Sequence, residues 1–413
     1  MPNGDEKQSI KVFIQLDFRM NKSILDQAVQ DYIVTYLNTD SNEIALAKSP
    51  FSTVSSAELA NQISAKKKSE KKLPTWYNAE GIYFPPTLSI EQTSSEVTAK
   101  YKSQLTKGKN LVDLAGGFGI DSFYFAKVLD QVIHCEINAE LSEIARSNAQ
   151  VLKAKNIDFK AIDGLEYIKK SKIKFDNIFI DPARRATKGK VFMLKDCTPD
   201  VVSNLDELLD KSERIIIKTA PLLDLTAGLQ ELKFVSEIHI VSVKNECKEL
   251  LWIIDKSFSG ELKITAAAIN EETKLFSFLK SEINSSSYLA QEINSCNYLY
   301  EPDAALLKSG AFNLIGNRYR LQKLHHQTQL YISENIDVKF PGRIFKINEI
   351  VSSGDLKKQK SLVGNVIVRN YPGKAEELVK KFKIKSDNTQ FLIFTKNSKE
   401  ENIIIRAEIL QHY

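Results

Sequence analysis

The sequence predicts an α/β protein. A mostly parallel sheet occupies the middle of the chain, with a helical region before it and an α+β region after it. Three observations carry this reading. Residues from about 22 to 72 show apolar positions at helical spacing. From about 110 to 254, short apolar strands alternate with helical segments, the pattern of βαβ crossovers. After about 257 the order loosens and strands mix with helices.

Composition bounds the answer. The 413 residues suffice for two or three domains. Apolar residues are 43% and charged residues 26%, ordinary for a soluble globular protein. The net charge of +5 permits an acidic partner without demanding one. Cys135, Cys197, Cys247 and Cys296 are far apart and form no C-x-x-C pair. Neither a disulfide framework nor a zinc site is expected, and a reduced, cytoplasmic setting fits. His325 and His326 are adjacent, but no histidines have metal-type helical spacing, and no metal is expected. The start, MPNGDEKQSI, lacks a basic-then-apolar signal pattern. No run approaches the roughly 18 apolar residues of a membrane span.

The helical region, residues 1–75, contains Ile24–Leu37 and Ser55–Lys72, with Ser55 or Ser56 as the cap. The second helix ends in Lys66, Lys67, Lys68, Lys71 and Lys72. These lysines fit either a solvated helix end or contact with phosphate. Pro74 stops the helix, and LPTWYNAEGIYFPP reads as an extended, aromatic-rich link. Ser89 followed by Gln92 has capping-box spacing, so one helix is expected from there. It is either a packing helix or a cover for a ligand. In the second case Glu91, Gln92, Ser95 and Thr98 are candidate contacts.

The sheet region, 76–257, carries the chemistry. Its first strand runs into LVDLAGGFGID, Leu111–Asp121, where Gly116, Gly117 and Gly119 allow positive φ and close approach to a ligand. The dinucleotide fingerprint G-x-G-x-x-G is not met, because the third position is Ser122. The next three strands end at Glu136, Asp163 and Asp181. An acid about 20 residues past the glycines can accept both hydroxyls of a ribose. Four successive strands ending on acids, with a glycine turn after the first, exceed what helix capping explains. The last strands, Val235–Val243 and Leu250–Ile254, suggest an antiparallel edge pair.

This set of residues resembles the class I S-adenosylmethionine-dependent methyltransferases, over about 83–255. The family's first motif, acid-x-Gly-x-Gly-x-Gly, appears here as Asp113-Leu-Ala115-Gly116-Gly117-Phe-Gly119. The resemblance implies a Rossmann-like, seven-stranded methyltransferase sheet. It implies S-adenosyl-L-methionine as cofactor, with Asp113, Ala115, Gly116, Gly117 and Gly119 beside its methionine part. Glu136 would hold the ribose, and Asp163 the adenine.

The fourth strand ends Asp181-Pro182-Ala183-Arg184-Arg185. Family members that methylate base nitrogens carry Asp/Asn-Pro-Pro-aromatic there. The acid and first proline match; Ala183 replaces the second proline, and no aromatic follows. Members that methylate C5 of uridine carry Asp-Pro-Pro-Arg, but also need a cysteine after the fifth strand, where this chain has Thr219-Ala220. Nitrogen methylation is therefore expected, with Asp181, Pro182 and Arg184 as catalytic candidates. Arg184 and Arg185 could clamp a substrate phosphate, or pair with Asp181 or Asp196. Lys218 could face the same pocket.

Past 257, YLYEPDAALLKSGAF and VIVRNYPGKAEELVKKF, with DPARR and KKLPTWY, resemble a bacterial methyltransferase family with appended ferredoxin-like and THUMP-like domains. The resemblance implies a ferredoxin-like domain at 258–335 and a THUMP-like domain at 336–413. It makes RNA, tRNA or rRNA, the expected partner, with Arg184, Arg185, Gln92 and Arg369 as substrate contacts. Asp303 reads as a plain helix cap. A small-molecule or protein methyltransferase, or a non-catalytic RNA-binding scaffold, is the alternative function.

Overall fold

The computed structural model describes residues 20–184, 193–286, 288–293, 298–359 and 361–413. The chain divides into two compact units, Met1–Ser171 and Lys172–Tyr413.

The first unit opens with helices α1 (Gln27–Thr35), α2 (Ser41–Leu46), α3 (Ser56–Lys72), α4 (Pro74–Asn78), α5 (Thr87–Gln92) and α6 (Glu96–Ser103). Ser55 and Glu58 cap α3 reciprocally. The expected extended link is a short helix instead. Pro74 occupies the first turn of α4, where its missing N–H costs nothing. Trp76 is thereby buried against Phe123, ring centroids 4.9 Å apart. The single helix expected from Ser89 is two: the chain breaks after Gln92, and Ser95 caps α6 by accepting from Thr98 N–H. The lysine cluster is largely structural. Lys66 is buried and donates to Tyr77 O (2.7 Å), and Lys72 donates to Ile90 O and Glu91 O. Lys68 pairs with Glu91.

Strands β1 (Asn110–Asp113), β2 (Gln131–Cys135) and β3 (Ile157–Lys160) are parallel neighbours in that order. They alternate with α7 (Ile120–Ala126), α8 (Ala139–Val151) and α9 (Gly164–Lys170).

The second unit continues with β4 (Phe175–Ile180), the short pair β5 (Ala183–Arg184) and β6 (Cys197–Thr198), α10 (Val201–Lys211), β7 (Ser212–Thr219), α11 (Leu225–Glu231), β8 (Val235–Val243) and β9 (Glu246–Asp255). β4 and β7 are parallel, and β9 inserts antiparallel between β7 and β8. β8 and β9 are thus antiparallel, as expected, but they do not form the edge. Strands β10 (Lys263–Ile269) and β11 (Thr273–Leu279) add to β8, the first of them parallel to it. The seven expected strands are all present, and two more extend the sheet past residue 257.

A second sheet of seven strands follows, ordered β13-β14-β12-β15-β20-β19-β17. It is built from β12 (Tyr298–Pro302), β13 (Gln322–His325), β14 (Thr328–Ser333), β15 (Gly342–Val351), β17 (Asn365–Val368), β19 (Gln390–Lys396) and β20 (Asn402–Gln411). Helices α12 (Ala304–Ser309), α13 (Phe312–Tyr319), α14 (Ser353–Lys358) and α15 (Ala375–Phe382) flank its strands in sequence, with a two-stranded pair β16 (Leu362–Val363) and β18 (Ile384–Lys385). Among the described residues, no helix is long and apolar enough to cross a membrane.

Candidate cofactor and acceptor sites

In the first unit, β1 delivers Asp113 fully buried to the glycine turn. Its carboxylate accepts from Ala115 N–H (3.3 Å) and Ser122 O–H (2.7 Å), tying the turn to the start of α7. Gly116 N–H donates to Cys135 O (2.8 Å), and Gly119 N–H to Gly116 O (2.9 Å). Gly117 and Gly119 take φ of +55° and +84°, values that only glycine adopts readily. Gly116 is required for space: a Cβ there would stand 2.2 Å from the His134 ring.

His134 is a residue that the sequence reading passed over; it is an imidazole inside the apolar strand QVIHC. It is buried and lies under the turn, its Nε2 donating to Gly117 O (3.2 Å). Burial pushes its pKa down to about 4, so the ring is neutral at physiological pH.

Glu136 meets the same turn. One carboxylate oxygen accepts from Gly117 N–H (2.9 Å) and the other from Asn138 N–H (2.8 Å). A carboxylate has about four acceptor positions, so two remain for hydroxyl groups. Ile137, next along, is 74% exposed, an unusual place for an isoleucine. Asp163 caps α9 by accepting from Glu166 N–H (3.0 Å). Gly164 packs onto the exit of β1, where an added Cβ would stand 2.3 Å from Leu114 O. The structure therefore brings Asp113, Ala115, the three glycines and Glu136 into one bonded cluster, and Gly164, packed on Leu114, sets Asp163 beside it. At Gly117 an added Cβ would meet nothing within 4 Å, so the turn faces open space.

Behind the turn, α6 is tied to α7. Lys102 is fully buried and pairs with Asp121 (3.0 Å), and Ser94 O–H donates to the same carboxylate (2.7 Å). Glu96 accepts from Thr75 O–H (2.7 Å) and Tyr124 O–H (2.6 Å). Ser95 and Thr98 serve the cap of α6, Glu91 pairs with Lys68, and Gln92 is exposed at the end of α5.

The second unit carries the end of the fourth strand. β4 and β7 pair through Ile180 and Ile217, so Asp181, just past the end of β4, stands beside Lys218, still within β7. Their side chains form an ion pair, with Lys218 largely buried. Pro182 is buried and Ala183 exposed. Ala183 and Arg184 pair with Thr198 and Cys197, fixing the backbone beyond the proline. The side chain of Arg184, and Arg185, Lys188 and Lys190, lie outside the described residues. Thr219 is buried, and its hydroxyl accepts from Trp252 Nε1–H (3.0 Å).

Arg369 is not presented to solvent as a free cation. Its guanidinium forms an ion pair with Glu301 (2.6 Å), a buried acid that also pairs with Arg343. Asn370 sits 3.2 Å from His325, and Tyr371 packs edge-on against Phe394. Asp303 caps α12, as expected. Among the described residues, His325, His326 and Glu400 cluster in a way that could hold a cation. However, His325 Nδ1 accepts from Gln327 N–H (3.0 Å), which leaves Nε2 protonated and donating to Glu400. Nε2 therefore offers no lone pair to a cation in this tautomer.

The fold and the glycine-acid cluster define a class: an α/β protein with a glycine turn and acids at the carboxyl ends of its parallel strands. The particular family follows from comparison. A crystal structure from Porphyromonas gingivalis W83, described as a "putative methyltransferase", superposes with a TM-score of 0.82 at 32% identity, covering 95% of this chain and 100% of that one. The chain belongs to the same family. Residues 298–341 match a ferredoxin-like domain model and 342–408 a THUMP domain-like model. The second sheet spans both, since β12 pairs with β15. Two curated relatives, each described as an "uncharacterized RNA methyltransferase", come from Mycoplasma mobile (30% identity over 38% of this chain) and Clostridium tetani (29% over 40%). The chain spans 48% and 38% of their lengths.

Proposed function

We propose that the protein is an S-adenosyl-L-methionine-dependent methyltransferase acting on a base nitrogen of tRNA or rRNA, in the cytoplasm. The observation that carries this reading is the bonded cluster of Asp113, the glycine turn and Glu136, with Asp163 beside it. Its open face suits a nucleoside with a charged tail. The turn at Gly116–Gly119 would hold the methionine part, and the free acceptor positions of Glu136 the ribose hydroxyls. Asp163 would take the adenine amine, and exposed Ile137 offers the ring an apolar face. The cofactor, when bound, supplies a methyl group on a sulfonium for in-line displacement.

Asp181 would accept a hydrogen bond from the substrate's amine, orienting the nitrogen lone pair. Lys218 holds that carboxylate in a fixed position, and Pro182 stiffens the backbone presenting it. Thr219 occupies the place of the cysteine that C5 methylation needs, and its hydroxyl is already engaged by Trp252. A covalent route is thereby disfavoured. Substrate phosphate contact falls to Arg184 and Arg185, with Gln92 as a further contact. Arg369 acts instead within the C-terminal domains.

The test is mass spectrometry of nucleosides from tRNA and rRNA of cells with and without the gene. Loss of one N-methylated nucleoside on deletion is expected. An unchanged set would refute RNA as the substrate.

A further inference from the structure

The imidazole of His134 interrupts an otherwise apolar, buried stretch of β2. The residue is 0% exposed, yet it uses only half of its hydrogen-bonding capacity. Gly117 O can only accept, so Nε2 carries the proton and Nδ1 holds a bare lone pair. Nδ1 is buried and has no hydrogen-bond partner among the described residues. A leucine would fill the slot without leaving an acceptor unsatisfied, so stability alone does not account for the histidine.

The ring has little freedom. Gly116 stands over it so closely that a Cβ there would lie 2.2 Å away. Phe159, its register partner on β3, packs against it with ring centroids 4.8 Å apart. The single N–H is therefore aimed in one direction, at the turn. Two residues on, past the end of β2, Glu136 reaches the same glycine by accepting from Gly117 N–H (2.9 Å). His134 and Glu136 thus hold the two peptide groups on either side of the Gly117 Cα. Such a grip matters at a glycine with φ of +55°, because no Cβ restricts its rotation. With the carbonyl released, the neighbouring peptide is free to turn, and Glu136 loses one of its two backbone donors. Asn138 N–H (2.8 Å) would then orient the carboxylate alone.

We propose that His134 is a positioning residue for cofactor binding: by pinning Gly117 it keeps the Glu136 carboxylate turned toward the ribose hydroxyls. The inference rests on the reading of Glu136 as the ribose acceptor. Calorimetry on the full chain at neutral pH compares S-adenosyl-L-homocysteine with its 2′,3′-dideoxy analogue. The wild type should prefer the hydroxylated ligand by about a hundredfold, as expected for two hydrogen bonds to a charged group. Glu136→Gln should reduce that preference. His134→Leu should lower it to below about tenfold, through Gly117 and without touching the ligand. His134→Gln, whose amide N–H takes the place of Nε2–H, should keep it within about threefold of wild type. Thermal unfolding checks that each variant folds. Nitrogen NMR of the five imidazoles, with His134 assigned by the Gln variant, should show Nε2 protonated and Nδ1 bare.

A role in packing alone would lower the affinity of His134→Leu for both ligands equally and leave their ratio intact. That result would overturn the proposal, and so would an equal loss of the ratio in the Leu and Gln variants. The opposite tautomer in the wild type would overturn it even if His134→Leu does not fold. A ratio lost in Glu136→Gln but kept in His134→Leu would remove the positioning role alone. A wild type with no preference for the hydroxyls would remove the ribose reading of Glu136, and the proposal with it.

Discussion

At the residue scale, the glycine turn is governed by space and by protonation. Gly116 has His134 beneath it, and a methyl group at 2.2 Å cannot be accommodated without moving that ring. Gly116→Ala should therefore abolish cofactor binding in calorimetry and lower the unfolding midpoint, whereas Ser122→Ala should weaken binding only modestly. His134 adds a pH signature. Its folded pKa, about 4, lies below the unfolded value of 6.5, so the unfolded chain takes up the proton first as pH falls. Its contribution is fully present above about pH 6.5 and is lost as pH falls toward 4. Between pH 7 and pH 5 this amounts to about 2 kcal/mol of lost stability. Urea unfolding should show that slope, and His134→Gln should flatten it. An unchanged slope in the variant would assign the acid sensitivity elsewhere.

At the scale of elements, the tie between α6 and α7 positions the turn from behind. Lys102 and Asp121 are both buried and paired, so removing one leaves the other uncompensated. Lys102→Met should cost about 3–5 kcal/mol in denaturant unfolding, and adding Asp121→Leu should recover most of it. Failure of the double variant to recover would show that the pair is not the source of the loss. The same elements show what was legible in the sequence. The strands were, because βαβ alternation and strand-end acids are local patterns. The break between α5 and α6 was not, because Ser94 is drawn out of a continuous helix by Asp121 and Lys102, partners distant or buried in the fold. The link at LPTWYN read as extended because Pro74 ends a helix; it also begins one, driven by burial of Trp76. His134 gave no signal, since its role depends on a glycine 18 positions away in sequence. Strands β10 and β11 were missed as members of the first sheet because their pairing to β8 is set by register and not by composition.

At the scale of the molecule, the chain divides its work between two kinds of surface. The cluster at the ends of β1, β2 and β3 suits a small cofactor, and Asp181 with Lys218 offers a single oriented acceptor. Arg369 illustrates why the C-terminal region was only partly legible: its motif looked like a nucleic-acid contact, yet its partner Glu301 lies 68 positions earlier. The central claim is methyl transfer to an RNA nitrogen with Asp181 as the acceptor group. It is tested most directly by incubating the purified protein with labelled S-adenosyl-L-methionine and RNA from cells lacking the gene. The account predicts label in an N-methylated nucleoside with the wild type, and a loss of about a hundredfold or more with Asp181→Ala at unchanged cofactor affinity. No label in RNA, or equal label with both proteins, would contradict it.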